Sequence, residues 1–148
     1  AVESGLAALR RGALIYTDSN MIKSGLSVPK LQKLHPGYTR DAILCPVADP
    51  ATARLAAERS ITRALAAVEL HAIFLCGNAP LALAGMVKLA LERGIRPALA
   101  VGMPVGFVNV VESKEYLMET GLEYITLAGR RGGSPLAVAT LHGIIENA

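Results

Sequence analysis

The chain has 148 residues and a formal net charge of +3; 52% of its residues are hydrophobic and 4% are aromatic. That length is typical of one domain with a full core, and the mean hydropathy of +0.41 is typical of parallel strands covered on both faces. The absence of Trp and of long basic runs argues against a nucleic-acid partner, and the lack of an unbroken apolar span or a signal-peptide pattern predicts a cytoplasmic protein with no membrane partner.

Five apolar runs, each followed by a short loop rich in Gly, Pro, Asn or charge, predict five strands. In chain order they are 13–17, 42–45, 72–76, 98–101 and 124–128. Helical patterns cover 3–11, a short segment ending near Lys23, 51–68, 80–92, 112–120 and 135–146, and residues 26–41 are expected to form a long loop. This alternation predicts a three-layer α/β fold, with a mostly parallel, doubly wound sheet of about five strands and helices on both faces.

The loop after the fifth strand carries the strongest local signal. All strand-to-helix loops of a parallel sheet lie along its carboxyl edge, where open α/β folds bind ligands. In Gly129-Arg130-Arg131-Gly132-Gly133-Ser134-Pro135, Ser134 is expected to cap the last helix and Pro135 to lie in its first turn. The glycines free backbone amides to point at an anion, and the paired arginines add charge. The alternative is an ordinary capped loop with solvated arginines.

Three other segments suggest contacts at the same edge. In Gly77-Asn78-Ala79-Pro80, Asn78 is a candidate helix cap, although a plain helix start is an equal interpretation. The apolar loop 102–107 suits the wall of a pocket for a flat ligand, or packing beneath the loop; it lacks the third glycine of a dinucleotide fingerprint. Glu112 and Ser113 suit the first turn of a helix, whereas Lys114 there suggests a ligand contact.

The remaining reactive side chains form no catalytic or metal-binding pattern, so we expect no metal and no cofactor. Cys45 and Cys76 each end a strand and are expected to be buried free thiols. His71 precedes a strand and belongs at the opposite edge, and His142 lies late in the last helix, where a positive charge suits the dipole. His35, in the long loop, is expected to reach the carboxyl edge.

Four segments in this order, 77–80, 102–107, 111–114 and 129–134, resemble the precorrin-8X methylmutase family (cobalt-precorrin-8 methylmutase in the anaerobic route) of cobalamin biosynthesis. Residues 15–21 and the pair Thr62-Arg63 fit the same family, so the resemblance covers essentially the whole chain. It implies a homodimeric isomerase that moves a methyl group from C-11 to C-12 of precorrin-8X or cobalt-precorrin-8, giving hydrogenobyrinate or cobyrinate. A non-catalytic corrinoid-binding protein and a phosphate- or nucleotide-binding module are the alternatives.

The resemblance also implies that residues 1–148 form one corrinoid-binding domain. Its implied substrate-binding residues are Thr17, Asp18, Thr62, Arg63, Asn78, Ala79, Met103, Pro104, Val105, Gly106, Phe107, Glu112, Ser113, Lys114, Arg130, Arg131, Gly132, Gly133 and Ser134. In the family, the acid credited with protonating a ring nitrogen is a His on a segment before the matched region, and we expect this chain to lack that segment. No His here aligns with it, so the catalytic residue stays unassigned, with His35 as the substitute candidate.

Overall fold

The computed structural model describes residues 1–45, 72–94 and 96–148. The described helices are α1 (Val2–Arg10), α2 (Asn20–Gly25), α3 (Val28–Gln32), α4 (Pro80–Arg93), α5 (Val110–Met118) and α6 (Ser134–Glu146), with a 3₁₀ turn at Arg40–Ala42. The described strands are β1 (Ile15–Thr17), β2 (Ile43–Leu44), β3 (Ile73–Cys76), β4 (Leu99–Gly102) and β5 (Tyr124–Thr126). The predicted helix 51–68, with Thr62 and Arg63, lies outside the described residues, as does His71. No described helix has the length and apolarity needed to cross a membrane.

These five strands form one parallel sheet in the order β2-β1-β3-β4-β5. Ile15 pairs with Ile73, and Ile73 pairs with Leu99, so the three central strands start level with one another. The five predicted strands and the α/β class are confirmed. Because the winding direction reverses between β1 and β3, the loops that follow these two strands flank the switch point, where open α/β sheets bind ligands.

Alternate residues of the central strands enter two separate cores. Ile73 and Leu75 pack on the side that carries α1, α2, α3 and α6. Phe74 and Cys76 pack on the other side, against α4 and α5. Side chains of a strand point alternately to its two faces, so a strand that is apolar at every position is covered on both. This packing confirms the three predicted layers.

The expectation of a long loop over 26–41 is wrong in part, because this segment contains α3 and the 3₁₀ turn. The Ser27 side chain accepts a hydrogen bond from the Lys30 backbone N–H at 3.4 Å and caps α3. Leu31 and Tyr38 are fully buried, and the Tyr38 hydroxyl donates to the Ala13 carbonyl at 2.7 Å. The prolines and glycines of the segment obscured these apolar anchors.

Two helices begin in a way that the sequence did not predict. The N-cap of α5 is Asn109, at φ 59°, so the helix begins two residues before the predicted start at 112. Glu112 lies in its first turn, as expected, and the Ser113 hydroxyl donates to the Val110 carbonyl at 2.9 Å. The N-cap of α6 is Gly133, at φ 121°, a conformation that favours glycine. Ser134 is therefore the first helical residue and not the cap, and its hydroxyl is free for a tertiary contact.

His142 joins α6 to the start of α3 as a hydrogen-bond acceptor. Its Nε2 accepts from the Ser27 backbone N–H at 3.1 Å, which requires that this nitrogen carry no proton. Burial, and then the nearby Lys30 ammonium, lower the pKa of His142, and the Glu146 carboxylate opposes this shift. The expectation that a positive charge suits this position is wrong, since the ring accepts a bond that only its neutral form makes.

We expect the free energy of unfolding to fall as the pH decreases from about 7.5 to about 5.5. The folded ring has a pKa below its unfolded value of 6.5, so its contribution is complete above that value and is lost as the pH falls through the folded pKa. Urea unfolding across this range measures the effect. His142→Gln retains an acceptor without titrating, so its loss over the same range will be smaller; parallel curves for the two proteins would contradict the assignment.

Candidate functional site

The buried carboxylate of Asp18, directly after β1, fills the N-terminus of α4. Its Oδ1 accepts from the Gly77 N–H at 2.9 Å. Its Oδ2 accepts from the N–H groups of Asn78 and Ala79 at 2.8 and 2.6 Å. The N-cap of α4 is Ala79, without a side-chain cap, so the expectation that Asn78 caps this helix is wrong. An anion is bound at this helix start, and it belongs to the chain itself.

Cys76 adds a fourth donor to the same carboxylate. Its thiol lies 3.2 Å from Asp18 Oδ2 and 3.3 Å from the Ala79 carbonyl. Burial, and next the Asp18 charge, raise the pKa of the Cys76 thiol well above its usual range. Cys76 is therefore a buried free thiol, as predicted, and a hydrogen-bond donor, a role that the sequence did not suggest. Cys45 is also free but only partly buried.

The start of α6 packs into the switch point between β1 and β3. The hydroxyls of Ser19 and Ser134 share a hydrogen bond of 2.8 Å. A Cβ on Gly77 would lie 2.6 Å from the Ser134 Cα, so only glycine permits this approach. The buried Thr17 hydroxyl donates to the Leu44 carbonyl at 2.9 Å. The structure thus brings the predicted site residues Thr17, Asp18 and Ser134 together, as buried parts of the framework.

The loops after β4 and β5 bind each other along their backbones. The Gly133 N–H donates to the Met103 carbonyl at 2.7 Å, and the Gly106 N–H donates to the Arg130 carbonyl at 3.4 Å. A Cβ on Gly132 would lie 2.2 Å from the Met103 carbonyl oxygen. The paired glycines therefore let the backbones of the two loops come into contact. This contact accounts for the two glycines, which the sequence suggested were there for anion binding.

Lys114 is fully buried beneath the same loops. Its Nζ donates to the carbonyls of Leu127, Gly129 and Arg131 at 2.8, 2.8 and 2.6 Å. Burial lowers the pKa of its amine, and the nearby Cys76 opposes this shift. The side chain is occupied by backbone acceptors, whereas the sequence suggested a ligand contact.

Exposed apolar and cationic side chains form the rim of the carboxyl edge. Phe107 is 83% exposed, and the Arg130 guanidinium carbon lies 5.6 Å from the centroid of its ring. This distance permits a cation–π contact, which holds the guanidinium against the face of the aromatic ring. Asn78 and Arg131 are also exposed. Beside them runs an open groove of about 540 Å³ lined by Leu127, Arg131, Gly132, Pro135, Leu136 and Ala139.

The predicted site residues thus divide into two groups within the described part of the chain. Those that solvent reaches are Asn78, Ala79, Val105, Gly106, Phe107, Glu112, Arg130, Arg131 and Gly132. Those that are buried are Thr17, Asp18, Met103, Pro104, Ser113, Lys114, Gly133 and Ser134. Val108, next to Phe107 in the chain, is also exposed, at 76%, and was not among the predicted residues, although it continues the apolar loop.

The two described histidines lie away from this edge. The Nδ1 of His35 is 3.3 Å from the Arg10 carbonyl, and its ring packs edge-on against Tyr38, at the opposite edge of the sheet. The expectation that His35 reaches the carboxyl edge is therefore wrong. His142 is bound to Ser27. In the described ranges, no group of three or more His, Cys, Asp or Glu side chains is placed to hold a metal ion.

We expect Asp18→Ala to lower the free energy of unfolding by about 2–4 kcal/mol, because three backbone amides lose a charged acceptor. Added formate should restore part of that stability, since a small carboxylate fits the vacated position. Urea unfolding with and without formate measures both effects. The control is Asp41→Ala at an exposed position, which we expect to change stability by less than about 0.5 kcal/mol. Equal stability of the two variants would contradict this role.

Comparison with known proteins identifies the family. A model of the precorrin-8X methylmutase family matches residues 1–147. The cobalt-precorrin-8 methylmutase of Leptospira interrogans is 38% identical, over 98% of this chain and 70% of its own length. The cobalt-precorrin-8 methylmutase of Methanocaldococcus jannaschii is 37% identical, over 99% of this chain and 67% of its own length. A crystal structure of precorrin-8X methylmutase from Thermus thermophilus superposes with a TM-score of 0.85 at 42% identity, covering 99% of this chain and 72% of that one. The chain belongs to the precorrin-8X methylmutase family, isomerases of cobalamin biosynthesis.

Proposed function

We propose that the chain binds a carboxylated tetrapyrrole at the carboxyl edge of the sheet and shifts a methyl group of precorrin-8X, or of cobalt-precorrin-8, from C-11 to C-12. The observation that carries the proposal is the contact between the exposed Phe107 ring and the Arg130 guanidinium, with Arg131 next to it in the chain. A tetrapyrrole is a wide apolar ring with carboxylates around its rim. An apolar surface beside guanidinium groups complements both parts.

The proposed contacts are the side chains that solvent reaches. Phe107 and Val105 would lie against the ring, and Arg130 and Arg131 would pair with carboxylates in the forked geometry that guanidinium favours. The exposed Asn78 amide would add a neutral hydrogen bond. The buried members of the site then act on the ligand through the loops that they hold, without touching it.

The proposed reaction depends mainly on how the protein positions the macrocycle. The bond from the methyl group to C-11 breaks as the bond to C-12 forms, so the product has the same atoms as the substrate. Holding the macrocycle in one conformation, with a proton on a ring nitrogen, supplies what such a shift needs. The described residues provide the holding groups, since both described histidines lie elsewhere.

Incubation with precorrin-8X, followed by visible absorbance, tests the activity directly. We expect the spectrum to change to that of hydrogenobyrinate. Binding of hydrogenobyrinate without turnover of precorrin-8X would show a corrinoid-binding protein instead. Thermal stabilisation by nucleotides but not by hydrogenobyrinate would show an anion-binding module. The proposal includes action in the cytoplasm, which fractionation of cells that make the protein tests.

The proposal also includes a homodimer, because large apolar side chains lie exposed on α4. Leu81 and Leu91 of this helix are 72% and 49% exposed. Exposed apolar side chains of this kind favour association between subunits. Light scattering after size-exclusion chromatography should give twice the chain mass of 15.5 kDa. A monomer at micromolar concentration would contradict this part of the proposal.

We expect Arg130→Ala and Arg131→Ala each to weaken hydrogenobyrinate binding by about 1.5–3 kcal/mol, the size of a hydrogen bond to a charged group. Their folding stability should stay within about 0.5 kcal/mol of the parent, because both side chains are exposed. Titration followed by visible absorbance measures the affinity. Arg11→Ala is the matched control, since Arg11 is exposed before β1 at the other edge. Unchanged affinity in the Arg130→Ala, Arg131→Ala double variant would refute the arginine contacts.

A further inference from the structure

Lys114 is a buried cation whose charge no carboxylate balances among the described residues. Its side chain is 1% exposed, and the described ion pairs join other residues. All three of its N–H groups have backbone acceptors within 2.8 Å. An ammonium has three donors and no acceptor, so its hydrogen-bonding capacity is complete in the absence of a ligand. A direct bond to a ligand carboxylate would require one of these contacts to break.

The three acceptors lie on both sides of Arg130. Leu127 and Gly129 precede it, and Arg131 follows it. The carbonyl of Arg130 itself accepts from the Gly106 N–H, in the loop that carries Phe107. The backbone that presents both guanidinium groups is therefore tied to α5 by Lys114 and to the neighbouring loop by Gly106.

A loop of this composition needs such a restraint. Gly129 lies within the loop 127–131 and Gly132 and Gly133 directly follow it, and glycine loses more conformational freedom on ordering than any other residue. Without this restraint, the ligand would have to order the loop backbone as well as the two long arginine side chains, and the additional entropy cost would subtract from the affinity.

We propose that Lys114 is a positioning residue that holds the loop 127–131 so that Arg130 and Arg131 meet the substrate carboxylates in a fixed arrangement, without itself contacting the substrate. The inference rests on the proposed function of this edge. Lys114, in the middle of α5, thus organises the site, and carboxylate recognition is left to the two exposed guanidinium groups.

A double-mutant cycle tests this role, with hydrogenobyrinate as the probe. Lys114→Met keeps the length of the side chain and removes its charge, and we expect it to weaken binding about ten-fold or more. In the Arg130→Ala, Arg131→Ala background the same change should weaken binding less than about two-fold, because the groups that Lys114 positions are gone. Equal losses in both backgrounds would overturn the proposal, because Lys114 would then affect binding independently of the two arginines.

The matched control is Lys88→Met, at a lysine on α4 that is 66% exposed; its affinity should equal that of the parent. Lys114→Gln, which keeps two N–H donors, replaces the Met variant in the cycle should the latter fail to fold.

Comparison of amide hydrogen exchange between the ligand-free parent chain and Lys114→Met gives a readout that does not depend on hydrogenobyrinate. The Gly133 and Gly106 amides join the loops after β4 and β5, and we expect both to exchange faster in the variant. Equal exchange in the two proteins would overturn the proposed restraint by Lys114. Failure of the unmodified chain to bind hydrogenobyrinate would refute the proposed function, while faster exchange in the variant would still establish the restraint.

Discussion

Burial of two opposite charges at the carboxyl edge governs the local structure of this protein. A carboxylate or an ammonium is costly to remove from water unless hydrogen bonds replace its hydration. Asp18 meets this requirement with three backbone amides and a thiol, and Lys114 meets it with three carbonyls. Since nearly all of these partners belong to the loops after β3 and β5, the two charges fix the loops that carry the proposed ligand site.

This arrangement decides which groups remain for a ligand. The amides at the start of α4 already bind Asp18, and the hydroxyl at the start of α6 already binds Ser19. Under the proposed function, recognition of an anion therefore falls to the exposed arginines, one of which lies over an exposed aromatic ring. Such a surface prefers a ligand that is apolar in its interior and anionic at its border. A small, fully hydrated anion would gain little from Phe107, so the same geometry that suits a macrocycle disfavours free phosphate.

Much of the architecture follows from local pattern. All five strands were predicted from apolar runs and the residues that end them, because strands buried on both faces need apolar side chains at every position. The helices 80–92 and 135–146 were predicted within one residue at each end, since Pro80 and Pro135 mark their first turns and Gly94, at φ 66°, ends the former. The helix and the 3₁₀ turn within 26–41 were not predicted. Leu31 and Tyr38 are core residues only because the fold buries them against α6 and the loop before β1.

The sequence by itself determined the α/β class, the edge at which chemistry-bearing residues gather and, through four ordered segments, the family. Tertiary structure alone decided which of those residues remain available. Asp18 and Gly77 are 59 positions apart, and no local pattern says that one will satisfy the other. The same holds for Lys114 and the carbonyls beyond β5, and for His35, which lies at the far edge. Local propensity depends on near neighbours, whereas the partner of a buried charge depends on how distant strands align.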